Sequence, residues 1–357
     1  MDQTTQLETM LIISKERRAT DLHLCAGAKP IIRVNGKLTE ISIMERLTPE
    51  LMDSVIAELL TEQKREKLER NRVLDFSFSK PGMGRYRANV YSQRGTYAAA
   101  IRMLPFDIPS FRDLGLPPVV ETFTGKTKGL FLATGATGSG KSTTLASLLN
   151  LVNEKYSYHI ITIEDPIEYL HRHKRSLVTQ REIGEDADSF ASALRAALRE
   201  DPDVIMVGEM RDAETISIAL IAAETGHLVL STLHTVGAAK SIDRIIDAFE
   251  PSQHLQIRSQ LAAVLEGVVS QQLIPRMDRP GLVVASEVML VNPAIRNLIR
   301  EGKHYQVNSI MQTGQAQGMQ LLEADLAKLS LAGIIDRNEL YLHSQDPQLL
   351  QQFLNRR

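Results

Sequence analysis

The arrangement of apolar positions changes character once along the chain, near residue 110. Before that point the patterns are mixed. Leu7, Met10 and Leu11 recur at helical spacing, and residues 51–72, dense in Glu, Lys, Arg and Leu, predict a helix introduced by Thr48-Pro49-Glu50. Strand-like runs follow at 73–78, 85–91 and 97–103, the last two joined by a turn at Arg94-Gly95. Pro105, Pro109, Pro117 and Pro118, with Gly115 among them, predict a linker. We therefore expect a first, mixed α+β domain over 1–103, a linker over 104–118 and a second domain over 119–357.

After that point, short runs that are apolar throughout alternate with helical stretches. The runs are 129–134, 159–163, 204–207 and 228–232. Strands that can be buried on both faces, alternating with helices, predict a parallel sheet covered on both sides, the α/β class. The helix predicted over 189–199 shows the intervening pattern: Phe190, Ala193, Leu194, Ala197 and Leu198 share one face, and Asp201-Pro202 closes it.

Composition removes several alternatives. The 357 residues carry 41 Lys and Arg against 43 Asp and Glu, a net charge of −2, so there is no broad positive field for wrapping nucleic acid. Cys25 is the single cysteine, which excludes an intramolecular disulfide and a cysteine-cluster zinc site and fits a reducing compartment. No apolar run approaches the ~20 residues that span a bilayer. At the N-terminus acids precede the apolar stretch and bases follow it, the reverse of a secretory leader. The expectation is a soluble, cytoplasmic chain with no transmembrane segment, which reaches a membrane only through a protein partner.

Residues 135–143 read GATGSGKST and fit the phosphate-loop pattern G-x-x-x-x-G-K-[ST], with a predicted strand before it and a predicted helix, 144–152, after it. Gly135, Thr137, Gly138, Ser139 and Gly140 would form a loop whose backbone N–H groups wrap phosphates at a helix N-terminus. Lys141 would reach the β- and γ-phosphates, and Ser142, with Thr143 beside it, would meet Mg²⁺. Acids stand at the ends of two other apolar runs: Glu164-Asp165-Pro166 with Glu168 just beyond, and Gly208-Glu209. The run at 228–233 is flanked by His227 at its start and His234 at its end. Ligands of open parallel sheets bind beyond the carboxyl ends of the strands. Lys141, Glu168, Glu209 and His234 are therefore expected to converge around one nucleotide. Glu164 and Asp165 serve equally well as caps of the turn before Pro166, and His227 fits a structural role as well as a site role.

These segments together resemble the secretion and pilus ATPase superfamily. Its four boxes occur in order: GATGSGKST (135–143), ITIEDPIEY (161–169), DVIMVGEMRD (203–212) and TGHLVLSTLHT (225–235), after a TDLHL segment at 20–24. AIRNLIRE, formed by Ala294, Ile295, Arg296, Asn297, Leu298, Ile299, Arg300 and Glu301, is similar to the signature of the type IV pilus retraction (PilT) family. By pattern alone it is a short amphipathic helix, with Ala294, Ile295, Leu298 and Ile299 on its apolar face, started by Asn292-Pro293. Gly318-Met319-Gln320 fits the same family.

The resemblance implies a RecA-like P-loop core, a small PAS-like domain before it and a helical C-terminal region. It also implies a homohexameric ATPase that uses ATP and Mg²⁺ to power pilus retraction and disassembly, in twitching motility and DNA uptake, acting on an inner-membrane platform protein and the pilus machinery. Glu168 would be the catalytic carboxylate, Glu209 would act on Mg²⁺, and His227 and His234 would attend the γ-phosphate. Arginines would neutralise charge across subunits, and the candidates are Arg85, Arg87, Arg102, Arg195 and Arg199. A solvated basic face explains any one of them equally well. The flexible joint of such a motor is expected at 105–118. Two other classes stay open on the residues. A nucleic-acid-translocating RecA-like ATPase is disfavoured by near-neutral charge and the absence of Trp. A nucleotide-gated assembly module of low turnover is disfavoured by the presence of Glu168 and Glu209. An accessory retraction ATPase would share all these motifs.

Overall fold

The computed structural model describes residues 5–105 and 107–355; the rest of the expected first domain's N-terminus, Phe106 and the last two residues lie outside it. The chain divides into two compact units: Met1–Asp107 with Pro166–Leu170, and Ile108–Asp165 with His171–Arg357.

In the first unit, helix α1 (Gln6–Glu16) opens on a reciprocal cap, in which Glu8 N donates to Thr5 Oγ1 and Thr5 N to the Glu8 carboxylate. Leu7, Met10 and Leu11 are buried, as their spacing predicts. Three short strands follow, β1 (Asp21–Cys25), β2 (Ile31–Val34) and β3 (Lys37–Glu40). The helix expected over 51–72 is two: α2 (Pro49–Leu59) and α3 (Glu62–Asn71). Leu60 and Thr61 between them are extended, and Thr61 takes the N-cap position of α3. Strands β4 (Val73–Lys80), β5 (Gly84–Gln93) and β6 (Thr96–Met103) complete an antiparallel sheet in the order β3-β2-β1-β6-β5-β4. Arg94 and Gly95 both have positive φ, 47° and 78°, as a two-residue hairpin turn requires. Register places Arg33, Asp21, Arg102, Arg87 and Ser77 side by side across five strands.

The second unit starts earlier than the proline pattern predicts. Phe111 and Leu116 are buried with Val120 and Phe123 against the core, and Ser147 Oγ donates to Pro109 O at 2.8 Å. Residues 108–118 are thus part of the packed second unit. Proline blocks regular helix and strand, but it does not stop the apolar residues between prolines from burying.

The main sheet is built from β7 (Gly129–Thr134), α4 (Lys141–Lys155), β8 (His159–Glu164), β9 (Leu177–Glu182), α5 (Phe190–Ala197), β10 (Val204–Val207), α6 (Ala213–Glu224) and β11 (Leu228–Leu233), followed by α7 (Ala238–Ile246), α8 (His254–Val264), β12 (Leu265–Pro275) and β13 (Leu282–Leu290). The strand order is β13-β12-β7-β11-β10-β8-β9, parallel except for β13. Every residue of β7, β10 and β11 is buried, which is why these runs are apolar throughout. β12 and β13 extend the core sheet, and the helical C-terminal region follows with α9 (Pro293–Arg300), α10 (Val307–Thr313), α11 (Leu322–Leu331), α12 (Arg337–His343) and α13 (Pro347–Asn355). Among the described residues no helix is long and apolar enough to cross a membrane.

Candidate active site

Parallel register sets the site. Thr134 on β7 aligns with Leu233 on β11, and Val207 on β10 aligns with Ser231 on β11 and Ile163 on β8. The carboxyl ends of four strands therefore share one edge. Along it stand the phosphate loop after β7, His234 after β11, Glu209 after β10 and Glu164 at the end of β8.

The loop leaves β7 at Gly135, whose φ is 142°; a Cβ there would collide with the carbonyl oxygen of Gln271 and lie 2.5 Å from Ser139 Oγ. Gly140, at φ 88°, is the N-cap of α4. Both positions need glycine for conformation and for space. Lys141 is 7% exposed, and its Nζ donates to the carbonyls of Gly135 and Ala136, both at 2.9 Å. Thr137, Gly138 and Ser142 are exposed and Thr143 is half-buried, so one side of the loop faces outward. The hydroxyls of Thr134 and Ser139 are buried without a hydrogen-bond partner. A buried hydroxyl left unpaired costs roughly 1–3 kcal/mol, and such groups beside a loop of this shape suit an oxygen-rich ligand.

Glu209 is held between two bases. Arg211 lies 2.5 Å from its Oε1, and His234 Nε2 lies 3.3 Å from Oε2. The hydrogen bond to Glu209 holds the Arg211 guanidinium above its ordinary pKa. Glu209 Oε2 is buried yet makes no well-aligned hydrogen bond. Thr232 Oγ1 donates to Gly208 O (2.6 Å) and Ser231 Oγ to Val207 O (2.8 Å), pinning β11 to the end of β10 and so fixing His234 against Glu209. Glu164 is buried and accepts from Thr162 Oγ1 (2.7 Å) and Gln180 Nε2 (3.2 Å). The first bond lies within β8 and the second reaches across to the neighbouring strand β9.

The remaining candidates are placed elsewhere. Glu168 lies in Pro166–Leu170, which belongs to the first unit, where Arg85 Nε donates to Ile167 O at 3.1 Å. The convergence of Glu168 with Lys141 expected from sequence is thus not a property of the second unit. His227 stands at the opposite end of β11 from His234, roughly 20 Å away along an extended strand, with its Nδ1 2.9 Å from Ala222 O. It therefore does not stand on this edge of the sheet. Arg87 is exposed beside Arg102, and Arg102 is paired with Asp21 at 3.0 Å. Arg195 is engaged by Glu214 at 2.6 Å. Arg199 lies shortly before β10 begins, at the strand end remote from the phosphate loop.

In α9, Ile295 and Ile299 are buried, but Ala294 is exposed, so the apolar face is narrower than expected. Arg296 is not on a free outer face. It donates to the carbonyls of Ala262 (2.7 Å) and Ala263 (2.9 Å) at the end of α8 and to Glu266 Oε1 at 2.6 Å. Asn297, Arg300 and Glu301 are exposed. Sequence reasoning also missed Arg211, although it sits within a quoted box, and Gln271, which no local signal marks.

The family described as type II/IV secretion system protein matches residues 110–341. A twitching motility protein of Neisseria gonorrhoeae is 46% identical over 310 residues, 87% of this chain and 83% of its own. The type IV pilus retraction ATPase PilT of Pseudomonas aeruginosa is 46% identical over 328 residues, covering 92% of this chain and 95% of its own. A crystal structure of the pilus retraction motor PilT with bound ADP superposes with a TM-score of 0.91 at 50% identity, covering 96% of this chain and 98% of that one. The chain belongs to the type II/IV secretion ATPase family, within its pilus retraction (PilT) branch.

Proposed function

We propose that this chain hydrolyses ATP as the motor subunit of a pilus retraction machine. The observation that carries the reading is the shared strand edge, where the unpaired buried hydroxyls of Thr134 and Ser139 and the carboxylate of Glu209 stand beside a phosphate loop. The backbone N–H groups of the loop and Lys141 bind the phosphates, and Lys141 exchanges the carbonyls of Gly135 and Ala136 for phosphate oxygens when nucleotide arrives. Ser142 and the carboxylate of Glu209 would hold Mg²⁺, which supplies positive charge to the β- and γ-phosphates. His234 keeps Glu209 in place and lies at the same strand end. Glu168, the glutamate of the second family box, is the carboxylate that activates water. The working particle is a homohexamer, with Arg85, Arg87 and Arg102 as the arginines that neutralise charge between subunits. It stays in the cytoplasm and meets the membrane through the platform protein of the pilus.

The test is steady-state Mg²⁺-ATPase activity of wild type, Lys141→Ala and Glu168→Gln beside mass photometry. A hexamer with turnover lost in both variants, and nucleotide binding kept in Glu168→Gln, supports the motor. A monomer without turnover overturns it in favour of a nucleotide-gated module. Stimulation of turnover by single-stranded DNA would move a nucleic-acid motor ahead.

A further inference from the structure

One buried amide, more than 120 residues from the phosphate loop in sequence, holds that loop at several points. Gln271 lies on β12 and is 2% exposed. Its neighbour Ser270 is in register with Thr134, the last residue of β7, so Gln271 stands where the loop departs. Its Nε2 donates to Ser139 O at 2.7 Å, and its Oε1 accepts from Thr144 Oγ1, in the first turn of α4, at 2.9 Å. Its backbone carbonyl abuts Gly135, and its Nε2 is 3.0 Å from where a Cβ on Gly140 would lie. The start of the loop, its end and the helix behind it all meet this one residue.

The bond to Ser139 O has a consequence on the other side of the same peptide. In a trans peptide the C=O of one residue and the N–H of the next point in opposite directions. Fixing Ser139 O toward β12 therefore aims the Gly140 N–H away from β12, toward the cradle in which phosphate-loop amides bind their ligand. The strand that carries the amide is itself anchored. Ser270 Oγ accepts from Gly237 N (2.9 Å) in the turn after His234, and Gln272 Oε1 lies 2.6 Å from His343 Nδ1 in α12.

We infer that Gln271 is a positioning residue for nucleotide binding, which keeps the loop in its phosphate-competent form before the ligand arrives. Its side chain acts through Ser139 and Thr144 and takes no part in bond breaking. Without it the loop must be organised by the nucleotide, and apparent affinity falls by the fraction of time the competent form is populated. A loop competent a tenth of the time weakens binding about tenfold while leaving the bound state's chemistry nearly intact.

The inference rests on nucleotide binding at this loop, and the experiment separates the two. Binding of a fluorescent ADP analogue and Mg²⁺-ATP steady-state kinetics are measured on full-length wild type, Gln271→Met, Thr144→Val and the double variant. Gln271→Met keeps the volume and removes both bonds; it is expected to raise Kd and KM by about tenfold with kcat changed far less. Thr144→Val should give a smaller rise in Kd, and the double variant should bind no worse than Gln271→Met, because the hydroxyl acts through the amide. Wild-type Kd in Gln271→Met overturns the inference, as does a fall in kcat at unchanged Kd. If Gln271→Met shows no cooperative melt, Thr144→Val decides, and an unchanged Kd there overturns it. Failure of wild type to bind the analogue would instead overturn the nucleotide reading itself.

Discussion

His234 Nε2 stands 3.3 Å from Glu209 Oε2, while Arg211 takes the other oxygen of the same carboxylate. Two bases thus fix the carboxylate, and in the proposed function it would meet Mg²⁺. Glu209→Gln is expected to keep nucleotide binding within a few-fold and to lower kcat by about a hundredfold, the loss typical of one charge-stabilising group. A Mg²⁺ titration of ATPase rate checks the role. Wild-type rate and Mg²⁺ dependence in the variant would remove Glu209 from the metal site.

The first loop glycine has no substitute. Gly135→Ala would drive a methyl into Gln271 O and Ser139 Oγ at a φ of 142°. The variant should lose nucleotide binding and lower unfolding stability by a few kcal/mol, since overpacking and backbone strain each cost about 1–3 kcal/mol. Denaturant melts with and without ADP would show both effects.

Arg296 closes the end of α8 and pairs with Glu266, which also meets Lys126 at 2.8 Å. Its loss leaves two helix-terminal carbonyls and a carboxylate short of a donor. Arg296→Ala should cost roughly 1.5–3 kcal/mol, the range for hydrogen bonds to charged groups. Arg296→Lys should recover only part, because an ammonium cannot reproduce the forked geometry. Urea denaturation of both variants decides; equal stability of Arg296→Ala and wild type would leave α9 a purely surface motif.

Glu287 is buried beside Glu323, and burial pushes its carboxyl up to about 6 from an ordinary value of 4.5. The folded state therefore binds this proton more tightly than the unfolded state. The resulting stability is complete below pH 4.5 and is lost as pH rises through about 6. Glu287→Gln should accordingly be more stable than wild type at pH 7–8, by at most about 2 kcal/mol, with the advantage vanishing near pH 4.5. The amide oxygen can still accept from Ala238 N, as the carboxylate does at 2.6 Å. Thermal melts across this range test the sign. A gain that does not depend on pH would assign the effect to packing.

Some of this molecule is written locally. The phosphate loop, the apolar strands on either side of it and the acid after β10 are legible because each depends on residues adjacent in the chain. A strand buried on both faces must be apolar throughout, and a loop that lets amides approach phosphate must have glycine at positions such as 135 and 140. Other features depend on pairing between distant segments. β12 carries Ser270, Gln271 and Gln272 in its middle, which hides it from any apolar pattern, and only its pairing with β7 places the amide of Gln271 against the loop. Phe111 and Leu116 look like linker residues among prolines, yet they bury against the core because apolar area is removed from water wherever the fold offers a partner. Arg296 falls outside the apolar face read from sequence, yet α8 ends beside it. Glu168 lies within its family box in sequence, but tertiary structure groups it with the first unit. Motif and periodicity thus determined which residues form the phosphate loop. Sheet pairing and burial, which are nonlocal, decided which residues hold that site in shape.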